Sequence, residues 1–226
     1  MGIISLDKLD HLYWLGRYTE RVYTTLRKFY KIYDSMIEAP EGAYRTYCER
    51  LNIPDVYGSN EAFVKKYLYD KDNPDSLYAN MNRAYDNAIV LREELHSNVL
   101  AYVQMALDVF EMDIRTESPL LELQDVADYI LAFWGCAEDY VDNEDCRNIM
   151  KCGKLVERLD LYIRLEYHTE DIEREFSKLL YRIHKTPMYY HIENLDKLTD
   201  IINVKKDWKT DYQEALDYLG GIIEVR

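Results

Sequence analysis

Residues 77–109 read LYANMNRAYDNAIVLREELHSNVLAYVQMALDV. Within them Leu77, Met81, Ala84, Ala88, Leu91, Leu95, Val99, Tyr102, Ala106 and Val109 follow one another at intervals of three or four residues. A 3.6-residue period held for that long describes one apolar face of a long helix, and such a face is buried only against other helices. The stretch just before it, Asn73-Pro74-Asp75, supplies a start: an Asn cap, a proline at the first helical position and an acid on the positive end of the dipole.

The same logic extends to both ends of the chain. Ser5 is a suitable N-cap for a helix running to Glu38, where Ala39-Pro40-Glu41-Gly42 stops it. At ~1.5 Å per residue that helix approaches 50 Å. Residues 40–73, with Pro40, Pro54, Gly42 and Gly58, predict an irregular insertion holding two short helices. A further helix follows Ser118-Pro119 to about Val141, another spans roughly Glu144 to Tyr167, and Thr169 with Glu170 and Asp171 behind it caps the next. Two shorter helices, at 191–203 and 208–219, fill a C-terminal extension over 187–226 that ends at Gly220-Gly221. No segment alternates with period two. The expectation is an all-α fold, a bundle of long helices with short accessory ones, forming one domain over 1–226.

Composition narrows the function classes. The formal net charge of −14 disfavours nucleic acid and anionic membrane as partners, because both need a basic face. Lys205, Lys206 and Lys209 form the densest basic cluster and read as a solvated helix start. The first residues lack a secretory signal, Leu6 stands where myristoylation wants Ser or Thr, and no apolar run approaches the ~20 residues that cross a bilayer. Cys48, Cys136, Cys146 and Cys152 form no CxxC pair and read as reduced packing residues of a cytosolic protein. The 22 tyrosines suit half-buried packing, with the ring inside and the hydroxyl near water.

One internal echo carries the functional question. Residues 12–30, LYWLGRYTERVYTTLRKFY, resemble residues 149–167, IMKCGKLVERLDLYIRLEY, at an offset of 137. Gly16, Glu20, Arg21, Arg27 and Tyr30 recur as Gly153, Glu157, Arg158, Arg164 and Tyr167. On a helix, Gly16, Glu20, Tyr23, Arg27 and Tyr30 share one stripe, as do Gly153, Glu157, Asp160, Arg164 and Tyr167. Glycine on an apolar face costs up to ~1 kcal/mol and is tolerated where another backbone comes close. Helices 5–38 and 144–167 are therefore expected to cross at Gly16 and Gly153 about an approximate twofold axis. An antiparallel crossing would pair Glu20 with Arg164 and Glu157 with Arg27. Such a quartet serves either as a register device or as a carboxylate-and-guanidinium site for a ligand.

The same residues carry a family resemblance. Leu12-Tyr13-Trp14-Leu15-Gly16-Arg17-Tyr18-Thr19-Glu20-Arg21 resembles the LYWLGRYLER opening of the bacterial alpha-E domain family. Asp72-Asn73-Pro74-Asp75-Ser76-Leu77 resembles its DNPxSL helix start, and Cys152 to Asp160 its LGRxLERAD segment. The resemblance implies a helical accessory protein associated with ATP-grasp-type ligase-like and transglutaminase-like proteins, in the making or modifying of peptides or amide-linked compounds. The family's RENAR stretch is represented by Tyr85-Asp86-Asn87-Ala88-Ile89, with Arg92 and Glu93 keeping the R–acid pair that follows, and Asn98 standing where a family glutamate is expected.

Fingerprints of nucleotide-binding loops and serine hydrolases are missing from the sequence. Glu93-Glu94-Leu95-His96 gives a single ExxH, where a di-iron bundle needs two with further carboxylates, so no metal is expected. No cofactor is expected either. The candidate ligand-binding residues are thus Glu20, Arg27, Asp86, Asn87, Arg92, Glu157 and Arg164, with Gly16 and Gly153 setting the crossing. The arginines would grip a carboxylate or phosphate and a glutamate would orient an amine or take its proton. The competing expectation is a non-catalytic scaffold or interaction module whose Glu–Arg network is structural.

Overall fold

The computed structural model describes residues 4–112, 123–206 and 208–224, so the expected start at Ser118-Pro119 lies outside the described residues. Those residues form an all-α bundle. The long α1 (Leu6–Glu38) begins where Ser5 Oγ accepts from the Lys8 amide and ends at Ala39-Pro40. Two short helices, α2 (Tyr44–Leu51) and α3 (Asn60–Tyr69), follow as expected, the first closed by Asn52 in the left-handed region and the second capped by Ser59. They are held to α1 by an aromatic cluster in which Phe29 meets Tyr47, Phe63 and Tyr67 at centroid distances of 5.7–6.0 Å. Burial of such rings dominates the energetics of docking an otherwise irregular segment. Most of the remaining tyrosines lie half-buried against the core.

The apolar seam that decides the fold is buried from Leu77 to Val109, with Tyr102 partly so. It is carried by two helices, however, α4 (Leu77–Val90) and α5 (Arg92–Glu111). The backbone bends at Leu91 (φ −90°, ψ 12°) and again at His96, whose φ of 61° lies in a region non-glycine residues rarely occupy. Periodicity survives a kink of this kind, which is why the sequence reads as one helix. The start differs too: Ser76 caps α4, accepting from the Ala79 amide at 3.0 Å, and Asn73 instead forms a turn, accepting from the Asp75 amide. Both Asn73 and Ser76 can cap a helix, but Pro74 and Asp75 fall in the turn between them.

Helix α6 (Gln124–Tyr140) packs on α5. Asn143 caps α7 (Glu144–Arg164), and a tight turn leads into α8 (Thr169–Ile183). Thr169 is the first residue of α8 rather than its cap; its hydroxyl accepts from the Trp208 indole at 3.3 Å. Last come α9 (Ile192–Thr199), continued by a π-helical turn over Asp200–Lys205, and α10 (Tyr212–Gly220). Lys205 ends that turn, so this lysine cluster does not open a helix. An antiparallel bridge, Tyr190 to Ile223, ties the C-terminal segment back.

In this arrangement α1 is the central mast. It packs most extensively on α7, then on α4, while α8 lies along the outer side of α7. The expected internal repeat thus becomes the main helix–helix interface of the fold. No helix among the described residues is long and apolar enough to cross a membrane.

Candidate functional site

The site is built where α1 and α7 touch. A Cβ on Gly16 would stand 2.1 Å from the Met150 carbonyl oxygen, and one on Gly153 would stand 2.1 Å from the Tyr13 carbonyl oxygen. Tyr13 and Met150 are themselves related by the offset of 137, so the contact is reciprocal. The predicted crossing at the two glycines and its approximate twofold relation are both present.

The direction of the crossing corrects the expected pairing. Contacts advance together along both helices, from Tyr13 with Gly153 to Glu20 with Arg158, so α1 and α7 run in the same sense. A parallel pair brings Glu20 and Glu157 to one level instead of placing each opposite an arginine two turns on. Two buried carboxylates at one level need cations of their own. Each takes the arginine that follows the other in sequence. Arg158 grips Glu20 in bidentate fashion, Nε to Oε1 at 2.7 Å and Nη2 to Oε2 at 3.0 Å. Arg21 lies 2.6 Å from Glu157 Oε1, and Arg17 donates to Glu157 Oε2 at 2.7 Å. Glu20 and Glu157 are 0% and 1% exposed. Burial alone would raise the Glu157 carboxyl, but Arg21 and Arg17 more than reverse this and hold it below its ordinary value.

The expected pairs Glu20–Arg164 and Glu157–Arg27 do not form. Arg164 binds Asp160 one turn back at 2.8 Å, and Arg27 is exposed. Nor do Asp86, Asn87 and Arg92 join the seam. Asp86 is exposed and accepts from Asn82, Asn87 contacts His11 of α1 at 2.8 Å, and Arg92 points to solvent at the α4–α5 bend. The residues the sequence reading missed are Arg17, Arg21, Arg158 and Glu175. Glu175 carried a legible signal, an acid set among Ile172, Phe176, Leu179 and Ile183 on the buried stripe of α8. It is 2% exposed, accepts from Arg158 Nη1 at 3.1 Å and Lys178 Nζ at 2.7 Å, and so extends the Glu20 half of the network to α8.

The two halves differ in surroundings. On the α8 side Arg158 lines a groove of about 670 Å³ between α7 and α8, with Lys151, Lys154, Arg174, Lys178 and Arg182 among its walls. Arg158 also borders a neighbouring hollow of about 380 Å³ that includes Tyr23, Arg27 and Tyr167. In a chain of net charge −14, the groove lining carries six cationic side chains and no acidic one.

Lys154 is the odd member. By the repeat it corresponds to Arg17, which has Glu157; the carboxylate that corresponds on the other side is Glu20, already taken by Arg158 and by the Thr24 hydroxyl at 2.6 Å. Lys154 forms no ion pair among the described residues and rests its ammonium 4.0 Å from the centroid of the Trp134 ring. Burial pushes it down to about 8. A lysine held below its unfolded value of 10.5 opposes folding while it is charged, a cost complete below pH 8 and fading as pH rises towards 10.5. Lys154→Met should therefore raise Tm at pH 7 by roughly 2–4 °C. That gain should shrink between pH 8 and 10.5, and a fall in Tm at pH 7 would contradict the assignment.

Comparison with known proteins adds one match. No curated protein and no solved structure matches the chain. A family model described as a predicted alpha-helical domain with a conserved ER motif matches residues 8–200. Glu-Arg occurs at 20–21, 49–50, 157–158 and 173–174, and of these only the pairs at 20–21 and 157–158 bury the acid. With that match over most of its length, and with two such pairs locked against each other at the centre of its fold, the chain belongs to the Alpha-E family.

Proposed function

We propose that this protein is the accessory, non-catalytic helical component of a bacterial cytosolic system that makes or modifies peptides or other amide-linked compounds, working beside an ATP-grasp-type ligase. The observation that carries the non-catalytic part is the closure of both glutamates. Glu20 and Glu157 are buried and held by guanidinium groups, so neither is presented to a substrate to take its proton. The paired acids and bases join α1 to α7 instead, as a register device does. The ligase partner, and with it a transglutaminase-like protein, is inferred from the company that Alpha-E proteins resemble in keeping. A bare scaffold is the neighbouring possibility. It has no use for the open cationic groove between α7 and α8, which supports a binding role.

Affinity purification of the tagged protein from its native host, followed by mass spectrometry, tests the partnership. An ATP-grasp-type ligase should be enriched over an untagged control. Recovery of the protein with no such ligase, under conditions where the ligase is expressed, would refute the partnership.

A further inference from the structure

The cationic groove is not consumed by the network that joins α1 to α7. Its lining comes from two helix faces, one running from Lys151 to Arg158 on α7 and one from Arg174 to Arg182 on α8, each following the three-and-four-residue rows of a helix surface. Several of these cations already hold an acid: Lys151 has Glu138, Arg158 has Glu20 and Glu175, Arg174 has Asp171, and Lys178 has Glu175. Two do not. Lys154 rests on Trp134, and Arg182 donates to the neutral Asn148 side chain at 2.7 Å while forming no ion pair among the described residues. The buried indole N–H of Trp134 also has no acceptor among the described residues.

We propose that this groove binds a carboxylate-bearing peptide, whose acidic group lies against Lys154 and Arg182 and whose body lies along Leu155 and Tyr181. The peptide class rests on the function proposed above; the anion site rests on the groove itself. Two features favour carboxylate over phosphate. Every lining residue lies beyond the first turn of α7 or α8, where backbone N–H groups are engaged in the helix, so the cradle of free amides that phosphate usually finds at a helix start or glycine-rich loop is missing. With most of the cations already neutralised, the two left over also match one or two carboxylates rather than a polyphosphate. The exposed Tyr181 ring and the Leu155 side chain give an apolar wall, which suits a peptide better than a bare inorganic anion.

The unpaired lysine has the mark of a binding residue. It costs the free protein stability, as argued above, and an arriving carboxylate would supply the partner that Glu20 does not. The test uses the purified full-length protein at low ionic strength with fluorescein-labelled, C-terminally amidated hexaglutamate, and hexaglutamine as the neutral control. Hexaglutamate should bind, hexaglutamine should not, and added salt should weaken the complex. Lys154→Met and Arg182→Gln should each lower affinity about tenfold or more. Lys71→Gln, remote from the groove, should leave it unchanged. Because Lys154→Met is expected to raise Tm, loss of binding in that variant cannot be put down to unfolding.

No binding of hexaglutamate, or equal binding by the wild type and Lys154→Met, would overturn the site. Tighter binding of tripolyphosphate or of a short oligonucleotide, lost in the same variants, would overturn the peptide class. The ligase partnership is read separately by the pull-down, so failure of one leaves the other measurable.

Discussion

Alanine in place of Gly16 should destabilise the fold by about 3 kcal/mol, although the substitution adds one methyl group to a helix that would otherwise prefer it. The new Cβ would stand 2.1 Å from the Met150 carbonyl oxygen and 3.0 Å from the Lys154 amide nitrogen. Both are backbone atoms, so no side-chain rotation relieves the clash, and α1 and α7 must part by about 1 Å or more along a close-packed interface. The ion pairs one turn away lie in the same interface and lengthen with it. Gly153→Ala should behave alike, since its Cβ meets the Tyr13 carbonyl at the same 2.1 Å. Because one separation of the helices relieves both clashes, the double variant should cost clearly less than the sum of the singles. Gly135 is the internal control. It lies inside α6 where, apart from its own helix backbone, nothing stands within 4 Å of the place a Cβ would take, so Gly135→Ala should stabilise by up to ~1 kcal/mol. Urea unfolding of the four variants decides the matter. A neutral Gly16→Ala, or additive losses in the double variant, would mean the helices are not in contact there.

Much of this fold is legible in the sequence, and beyond the misplaced caps at Asn73 and Thr169 the larger errors are of one kind. Helix existence follows from periodicity and caps, and Ser5 sits where α1 begins. The glycine pair shows which two helices meet because only a glycine tolerates so close a backbone, and a stripe that repeats at an offset of 137 points to its own partner. Period and spacing are silent on direction, however. An apolar stripe reads the same whether its neighbour runs up or down, and that choice decides whether Glu20 faces Arg158 or Arg164. The break at Leu91 and His96 is hidden for a related reason, since a bend that preserves the buried face leaves no trace in the hydrophobic pattern. The groove was out of reach because it needs α8 set beside α7, and its cations look in sequence like an ordinary solvated helix face.

Removing the charge of Glu157 should be the most damaging single change to the network. Glu157→Gln leaves Arg17 and Arg21 facing a neutral amide in a buried site, and breaking a buried ion pair by deleting one partner costs about 3–5 kcal/mol. Glu20→Gln should cost less, because Arg158 keeps Glu175 at 3.1 Å and the new amide oxygen can still accept from Arg158 and Thr24. A double-mutant cycle identifies the partners. Glu157→Gln and Arg21→Gln should couple by about 1–3 kcal/mol, whereas Glu157→Gln with Arg27→Gln should be additive within ~0.5 kcal/mol. Acid supplies an independent check. The Glu157 carboxyl is held below its ordinary 4.5, so its stabilisation is present above that value and is lost as pH falls through the lower, folded-state one. The gap between wild type and Glu157→Gln should therefore be constant from pH 6 to 7 and narrow below 4.5. Coupling to Arg27 instead of Arg21 would show that α1 and α7 do not run in the same sense, and the groove beside Arg158 would lose the frame that holds it open.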